Sequence, residues 1–134
     1  MVVSCCASPA DKERLGLVGH HAYSILGNYS IWKGEDEDEE VHLVELRNPW
    51  GWFEWKGKWS NQDWRSWMKN RRHNQVARFR ELFDWDKIKE TDGQEGMPKD
   101  GQFFMEIKDF MKYFSTITVV KVPFRFDVGC GFKE

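Results

Sequence analysis

Two strand-like segments on either side of an acidic run constrain the fold of this chain more than any other feature. Residues 21–32 alternate apolar and polar side chains around an irregularity at Gly27, and residues 41–47 are rich in Val and Leu. Both patterns are typical of β-strands. The six acids at 35–40 between them repel one another, so we expect them to lie solvated at the tip of a β-hairpin.

The open end of this hairpin carries the most unusual side chains. His21 lies in residues 19–24 (Gly-His-His-Ala-Tyr-Ser), and Asn48 lies in residues 47–51 (Arg-Asn-Pro-Trp-Gly). Antiparallel pairing brings the two side by side, and strand alternation places His21 and Tyr23 on one face. A cysteine protease of the Cys-His-Asn type needs an imidazole that exchanges protons with a thiolate and an amide that fixes its tautomer. We therefore predict that His21 and Asn48 are two members of such a triad.

The third member, the nucleophile, is not recognisable in this sequence. Cys5 and Cys6 lie close before His21, whereas a papain-like nucleophile lies roughly 130–150 residues before its histidine. We expect these two cysteines to belong to a strand that enters the domain, and Cys130 to lie in a tail. The sequence thus suggests a piece of an enzyme whose other piece carries the cysteine.

Length and charge narrow the class of protein. We expect 134 residues to form one domain, and 20 basic against 22 acidic residues provide no global field that attracts nucleic acid. No apolar run approaches the roughly 18 residues of a membrane span, and the first residues lack a signal-peptide pattern. Three cysteines without a CxxC pair favour a reducing, cytoplasmic location over a disulfide framework or a zinc site.

Tryptophan is the outlier in the composition. The chain has eight, and six of them lie between residues 50 and 67. A buried aromatic ring removes roughly 150–250 Å² of surface from water, so we expect most of these residues to be structural. An aromatic wall around an active site, or a platform for glycans or peptides, are the alternatives.

Beyond the hairpin, the sequence predicts short helices and two more strands. Ser60 and Asn61 are candidate helix caps, and residues 90–101 are a glycine-containing loop. Arg78 and Arg80 are expected on the solvated face of the second helix rather than at a nucleic-acid site. The remaining predictions are a helix face of Trp64, Trp67 and Met68, a second face of Val76, Phe79, Leu82 and Phe83, a strand at 102–107, a helix at 109–114 and a strand at 116–122.

Four phrases, in this order, resemble the C-terminal half of the calpain protease core. They are residues 19–24, 47–51, 54–60 (Glu-Trp-Lys-Gly-Lys-Trp-Ser) and 100–105 (Asp-Gly-Gln-Phe-Phe-Met), with Asp-Phe at 109–110 after them. The resemblance runs from about residue 15 to 122 of a single domain, 1–134, and leaves 123–134 as a tail. It implies an α+β fold, mainly antiparallel, like the second subdomain of papain-like proteinases, with a curved sheet or barrel and peripheral helices.

The resemblance also implies an activity and a partner. The protein would be part of an intracellular cysteine endopeptidase that acts on protein substrates, and a separate N-terminal subdomain would carry the cysteine. His21 would be the catalytic imidazole, Asn48 its orienting amide and Trp50 the ring that shields their hydrogen bond, so the chain alone would be inactive. A calpain-like scaffold without activity stays an alternative, and a tryptophan-rich glycan or peptide module is a more distant one.

Calcium is the cofactor that the resemblance implies. The family's ligand positions correspond to Glu54, Asn61, Asp100 and Gln102, with a main-chain carbonyl around Pro98. The family usually has acids at all four side-chain positions, whereas Asn61 and Gln102 are neutral amides. Calcium affinity depends on the number of charged oxygens, so we expect binding here to be weak or absent.

Overall fold

Five strands and five short helices make up the part of the chain that the structure, a computed structural model, describes: residues 2–7, 12–32, 40–69 and 76–120. No helix in these ranges is long and apolar enough to cross a membrane. In chain order the elements are β1 (Val2–Ala7), α1 (Lys12–Leu15), β2 (Ala22–Trp32), β3 (Glu40–Arg47), α2 (Trp64–Lys69), α3 (Ala77–Leu82), α4 (Trp85–Glu90), β4 (Gln102–Glu106), α5 (Ile107–Tyr113) and β5 (Phe114–Val120).

The predicted hairpin is the centre of the sheet. β2 and β3 pair antiparallel from Ser24 opposite Arg47 to Trp32 opposite Glu40, and the register shifts between Ile25 and Gly27. That shift is the irregularity expected around Gly27. Most of the acidic tip, residues 33–39, lies outside the described residues. All neighbouring strands are antiparallel, in the order β4-β3-β2-β1-β5, which confirms a mainly antiparallel α+β fold.

The connection from β4 to β5 shows that the sheet is curved. These strands are its two edges, and in a flat sheet four strand spacings would separate them by about 19 Å. The seven-residue helix α5 joins them directly and rises only about 10 Å. Side chains from both edges also meet at one ring, since Tyr23 lies 5.9 Å from Phe103 and 5.4 Å from Phe114 between centroids. The expected curvature is therefore confirmed.

Both faces of β3 and β4 are buried, each against a separate core. Leu46 and Phe103 lie in the core on the concave side of the sheet, which we call the concave core. Leu43 and Phe104 lie in an outer core beneath α2 to α4. This double burial explains why these strands hold apolar residues at consecutive positions. The outer core is built from Ile31, Val41, Leu43, Trp59, Trp67, Phe79, Phe83, Ile88, Met97 and Phe104.

Several sequence predictions need correction. The four-residue helix α1 and helix α4 were not predicted; the Asp84 side chain caps α4 by accepting from the Lys87 N–H. Ser60 and Asn61 are not helix caps, because α2 begins only at Trp64. The last helix and the last strand each begin two residues earlier than expected.

Arg78 is the clearest departure from a surface expectation. Glu45 on β3 is fully buried, and Arg78 of α3 donates to both of its carboxylate oxygens, from Nε at 3.0 Å and Nη2 at 2.7 Å. The Tyr29 hydroxyl donates to the same carboxylate at 2.9 Å. A buried carboxylate requires such partners because its desolvation is costly. The solvated face was thus wrong for Arg78 and correct for Arg80, which is exposed.

Replacement of Arg78 by leucine tests this ion pair. We expect the free energy of unfolding to fall by about 2 kcal/mol, because the Glu45 charge would stay buried without its partner. The loss stays moderate because the Arg78 side chain is partly exposed to water. Arg80→Leu on the same helix is the matched control and should change stability by less than about 0.5 kcal/mol. Urea unfolding of both variants measures the difference, and equal effects would contradict a role for the ion pair.

Candidate active site

The turn before β2 fixes the backbone of His21. Ala7 at the end of β1 donates its N–H to the His21 carbonyl at 3.2 Å, and the His20 N–H donates to the Ala7 carbonyl at 3.0 Å. His20 has a φ of 53°, in the left-handed region that turns favour. Two strands therefore hold the residue from which the imidazole projects.

Asn48, which directly follows β3, is held by bonds to its backbone and to both ends of its amide. It is fully buried, and its N–H donates to the Gly101 carbonyl at 3.0 Å. Its side-chain Nδ2 donates to the Phe53 carbonyl at 3.3 Å, and its Oδ1 accepts the Trp50 N–H at 3.0 Å. Because a backbone carbonyl can only accept and an N–H can only donate, these bonds fix which end of the amide is the oxygen.

The two predicted residues meet at the open end of the hairpin. His21 Nε2 lies 2.9 Å from Asn48 Oδ1. Since this oxygen only accepts, Nε2 carries the proton in the neutral ring and Nδ1 keeps its lone pair. In the described part of the chain, no hydrogen bond engages Nδ1. The ring therefore offers Nδ1 for proton exchange, in the tautomer that an orienting amide imposes.

Two aromatic rings contact the imidazole of His21. Trp50 lies 4.1 Å away between ring centroids, tilted by 41°, and is 52% exposed. Tyr23 makes an edge contact at 5.1 Å from within the core, and its hydroxyl accepts the Val18 N–H at 2.9 Å. Burial raises the pKa of Tyr23, so its hydroxyl stays neutral. The imidazole thus contacts one buried ring and one partly exposed ring.

The cysteines of β1 are placed poorly for attack on a substrate. Cys5 is buried, its thiol lies 3.7 Å from the Tyr23 carbonyl, and burial raises its pKa to about 12. Such a thiol holds almost no thiolate at neutral pH. Cys6 lies on the opposite face from Cys5 and Ala7, both of which belong to the concave core. Both cysteines lie in an entering strand, as predicted, and Cys130 lies outside the described residues.

Four of the five residues implied in calcium binding form a second cluster, which we call the Asn61 cluster: Asn61, Glu54, Pro98 and Gln102. Asn61 Nδ2 lies 2.6 Å from Glu54 Oε1, 2.8 Å from the Gln102 carbonyl and 3.1 Å from the Pro98 carbonyl. Gln102 therefore contributes its backbone, whereas the sequence suggested its side chain. Asp100 is exposed and has a φ of 65°.

Burial is the main influence on the Glu54 carboxyl. It raises the pKa of this group, and the negative charge of nearby Asp100 acts in the same direction. Hydrogen bonds from Asn61 and from the Gly101 N–H partly oppose this rise. Within the described ranges, no group of three or more His, Cys, Asp or Glu residues is arranged to hold a metal ion.

Comparison with known proteins identifies the family. The sequence profile described as calpain family cysteine protease matches residues 1–121. The chain belongs to the calpain family. Human calpain-12 is 34% identical over 107 residues, which are 78% of this chain and 12% of that protein. The calpain-1 catalytic subunits of chicken and mouse are 32% and 29% identical, over 77% of this chain and 12% of each relative. The chain thus spans about an eighth of these calpains.

Two residues near the pair were not predicted to have a role in this calpain domain. Tyr23 was placed on the His21 face but given no function, although it supports the ring from within the core. Gly101 has a φ of +84°, and an added Cβ would lie 2.5 Å from the Asn48 carbonyl oxygen. The Asp-Gly-Gln sequence at 100–102 is a turn signal that could have indicated this constraint.

The tryptophans divide into two groups, which answers the question that the composition raised. Trp55, Trp59 and Trp67 are buried, and the Trp67 Nε1–H donates to the Trp59 carbonyl at 3.1 Å. Trp50 and Trp52 are 52% and 62% exposed. Trp50 lies against the His21 ring, whereas the Trp52 ring contacts Phe53. The expectation of a largely structural role is confirmed, and one of the two exposed rings borders the candidate active site.

Proposed function

We propose that this calpain-family chain supplies the base and the orienting amide of a cysteine endopeptidase, while a separate N-terminal subdomain supplies the nucleophile. The observation that carries the proposal is the 2.9 Å contact between His21 Nε2 and Asn48 Oδ1. Backbone groups fix the amide oxygen as an acceptor, so the free ring atom is Nδ1. The single-domain assignment and the cytoplasmic location stay predictions.

The reaction that fits this arrangement is acyl transfer. Nδ1 of His21 accepts the proton of the partner's cysteine thiol, and the thiolate attacks the peptide carbonyl carbon. The resulting imidazolium returns the Nδ1 proton to the leaving amine as the C–N bond breaks, leaving a thioester. Nδ1 then accepts a proton from water as the hydroxide attacks the thioester carbonyl carbon. The C–S bond breaks, the carboxyl product leaves, and the imidazolium returns its Nδ1 proton to the thiolate, which restores the thiol and the neutral ring.

Asn48 and Trp50 support these proton transfers without taking part in them. The Nε2–H keeps its bond to Asn48 Oδ1 in both the neutral and the protonated ring, so the ring does not turn between steps. The Trp50 ring covers the imidazole and lowers the access of water that would compete for the Asn48 oxygen. The tautomer that leaves Nδ1 free is thereby maintained throughout the cycle.

Proteolysis by the chain alone and by the longer polypeptide tests the proposal. We expect this chain to leave casein intact with or without calcium, because no thiolate of the described residues faces His21. The polypeptide that includes the upstream subdomain should cleave casein, and Cys6→Ala should leave that cleavage unchanged. Cleavage by the chain alone that Cys6→Ala abolishes would contradict the proposal, and a folded but inactive longer polypeptide would favour the scaffold alternative.

A further inference from the structure

Three chain segments converge on the amide nitrogen of Asn61. Glu54 lies in the loop after β3, Pro98 in the loop before β4, and Gln102 at the start of β4. One oxygen from each lies 2.6 to 3.1 Å from Nδ2. A primary amide has only two N–H groups, so three acceptors share two donors. A ring of oxygens around one central atom is also the arrangement by which proteins hold hard cations.

The surroundings of the amide determine its orientation. If the two ends were exchanged, Oδ1 would face the Glu54 carboxylate and two carbonyls at these short distances. Acceptors packed against one another in a partly buried site are unfavourable unless a positive charge lies between them. Asn61 Oδ1 is itself buried and has no hydrogen-bond partner among the described residues. The contacts to Nδ2 therefore hold this side chain in place.

The donor set fits a calcium ion poorly. Calcium takes six to eight oxygens and binds tightly when several are carboxylates. Glu54 supplies the only carboxylate bonded within the Asn61 cluster, and its second oxygen already accepts the Gly101 N–H at 3.3 Å. The position that a cation would need is filled by Asn61 Nδ2. The cluster borders a surface cavity of about 440 Å³, so ions from solvent can reach it.

The Asn61 cluster is joined to the candidate active site through one residue. The Gly101 N–H donates to Glu54 Oε2, and the Gly101 carbonyl accepts the Asn48 N–H at 3.0 Å. Gly101 has no side chain, and an added Cβ would clash with the Asn48 carbonyl oxygen. The position of Asn48 therefore depends on the loop that the Asn61 cluster holds.

We propose that the Asn61 side-chain amide takes the place of a bound cation in this domain. It ties the Glu54, Pro98 and Gln102 segments together with neutral N–H donors, so that Asn48 is held against His21 without calcium. A neutral donor does not leave when the calcium concentration falls. The inference goes beyond the proposed function, because it concerns how the domain is held together and is tested without any proteolysis.

Calcium titration and thermal unfolding of Asn61→Asp test whether the Asn61 amide takes the place of a cation. The aspartate removes the N–H donors and places a carboxylate against Glu54 and two carbonyls. We expect this variant to melt several degrees below the parent chain in EDTA and to recover in millimolar calcium, with heat of binding by calorimetry. The parent chain should bind no calcium and melt at the same temperature in both buffers. Gln62→Glu, on the exposed neighbour, is the charge-matched control and should show no calcium response.

A second variant covers the case in which Asn61→Asp does not fold. Asn61→Ala removes the amide without adding charge, so we expect a lower melting temperature and shifted amide NMR signals of Gly101 and Asn48, none of which calcium restores. Unshifted signals would overturn the coupling to Asn48. Micromolar calcium binding by the parent chain, with a rise in its melting temperature, would overturn the proposal, as would equal calcium responses of Asn61→Asp and Gln62→Glu.

Discussion

Replacement of His21 by alanine, in the polypeptide that carries both subdomains, is expected to lower kcat/KM by about 10³- to 10⁴-fold. In the proposed mechanism, Nδ1 of this imidazole accepts the thiol proton and returns it to the leaving amine, and the alanine variant lacks that atom. The fall should be mainly in kcat, because the proposed role of His21 is in proton transfer and not in binding the extended peptide. A fluorogenic peptide assay measures both constants.

His20 provides a matched control for this variant. It is the adjacent histidine, it is exposed, and its ring has no bond to Asn48. His20→Ala should therefore keep activity within a few-fold of the parent enzyme. An outcome in which His20→Ala abolishes cleavage and His21→Ala does not would contradict the assignment of the imidazole.

Replacement of Asn48 by alanine is expected to lower kcat by about 10²-fold, less than loss of His21. The imidazole would still be present, but the bond that fixes Nε2–H would be lost, and the ring could populate the tautomer with its proton on Nδ1. Only a fraction of enzyme molecules would then hold a base that faces the nucleophile. Steady-state kinetics and melting temperature should be measured together, because Asn48 is fully buried.

Two further variants separate orientation from folding at Asn48. Asn48→Asp keeps an acceptor oxygen, so it should retain more activity than Asn48→Ala. Trp50→Ala removes a ring that is half exposed, so it should lower kcat several-fold while the melting temperature stays unchanged. Unchanged kcat in Asn48→Ala would contradict the orienting role.

The hairpin and the meeting of its ends could be predicted because their signals are local. Strand alternation and the acidic run define β2 and β3, and antiparallel pairing then brings His21 to Asn48. The tautomer could not be predicted in the same way. It depends on backbone groups, the Phe53 carbonyl and the Trp50 N–H, that no residue type encodes.

The errors arose where a third element decides the environment of a side chain. Arg78 was expected on a solvated helix face, yet it forms an ion pair with Glu45, which is buried on β3. Gln102 was implied as a side-chain ligand by its position in the resemblance, but its backbone carbonyl makes the contact with Asn61 Nδ2. Helix α4 has only two apolar residues, Trp85 and Ile88, too few to show a helical repeat in the sequence.

The tautomer of His21 in this chain is the most direct test of the His21–Asn48 assignment. Long-range ¹H–¹⁵N spectra of the ¹⁵N-labelled parent chain and of Asn48→Ala, recorded where the ring is neutral, distinguish a protonated from a bare ring nitrogen. We predict a proton on Nε2 and a bare Nδ1 in the parent chain, and a mixture of tautomers in Asn48→Ala. A proton on Nδ1 in the parent, or the same mixture in both proteins, would contradict the assignment.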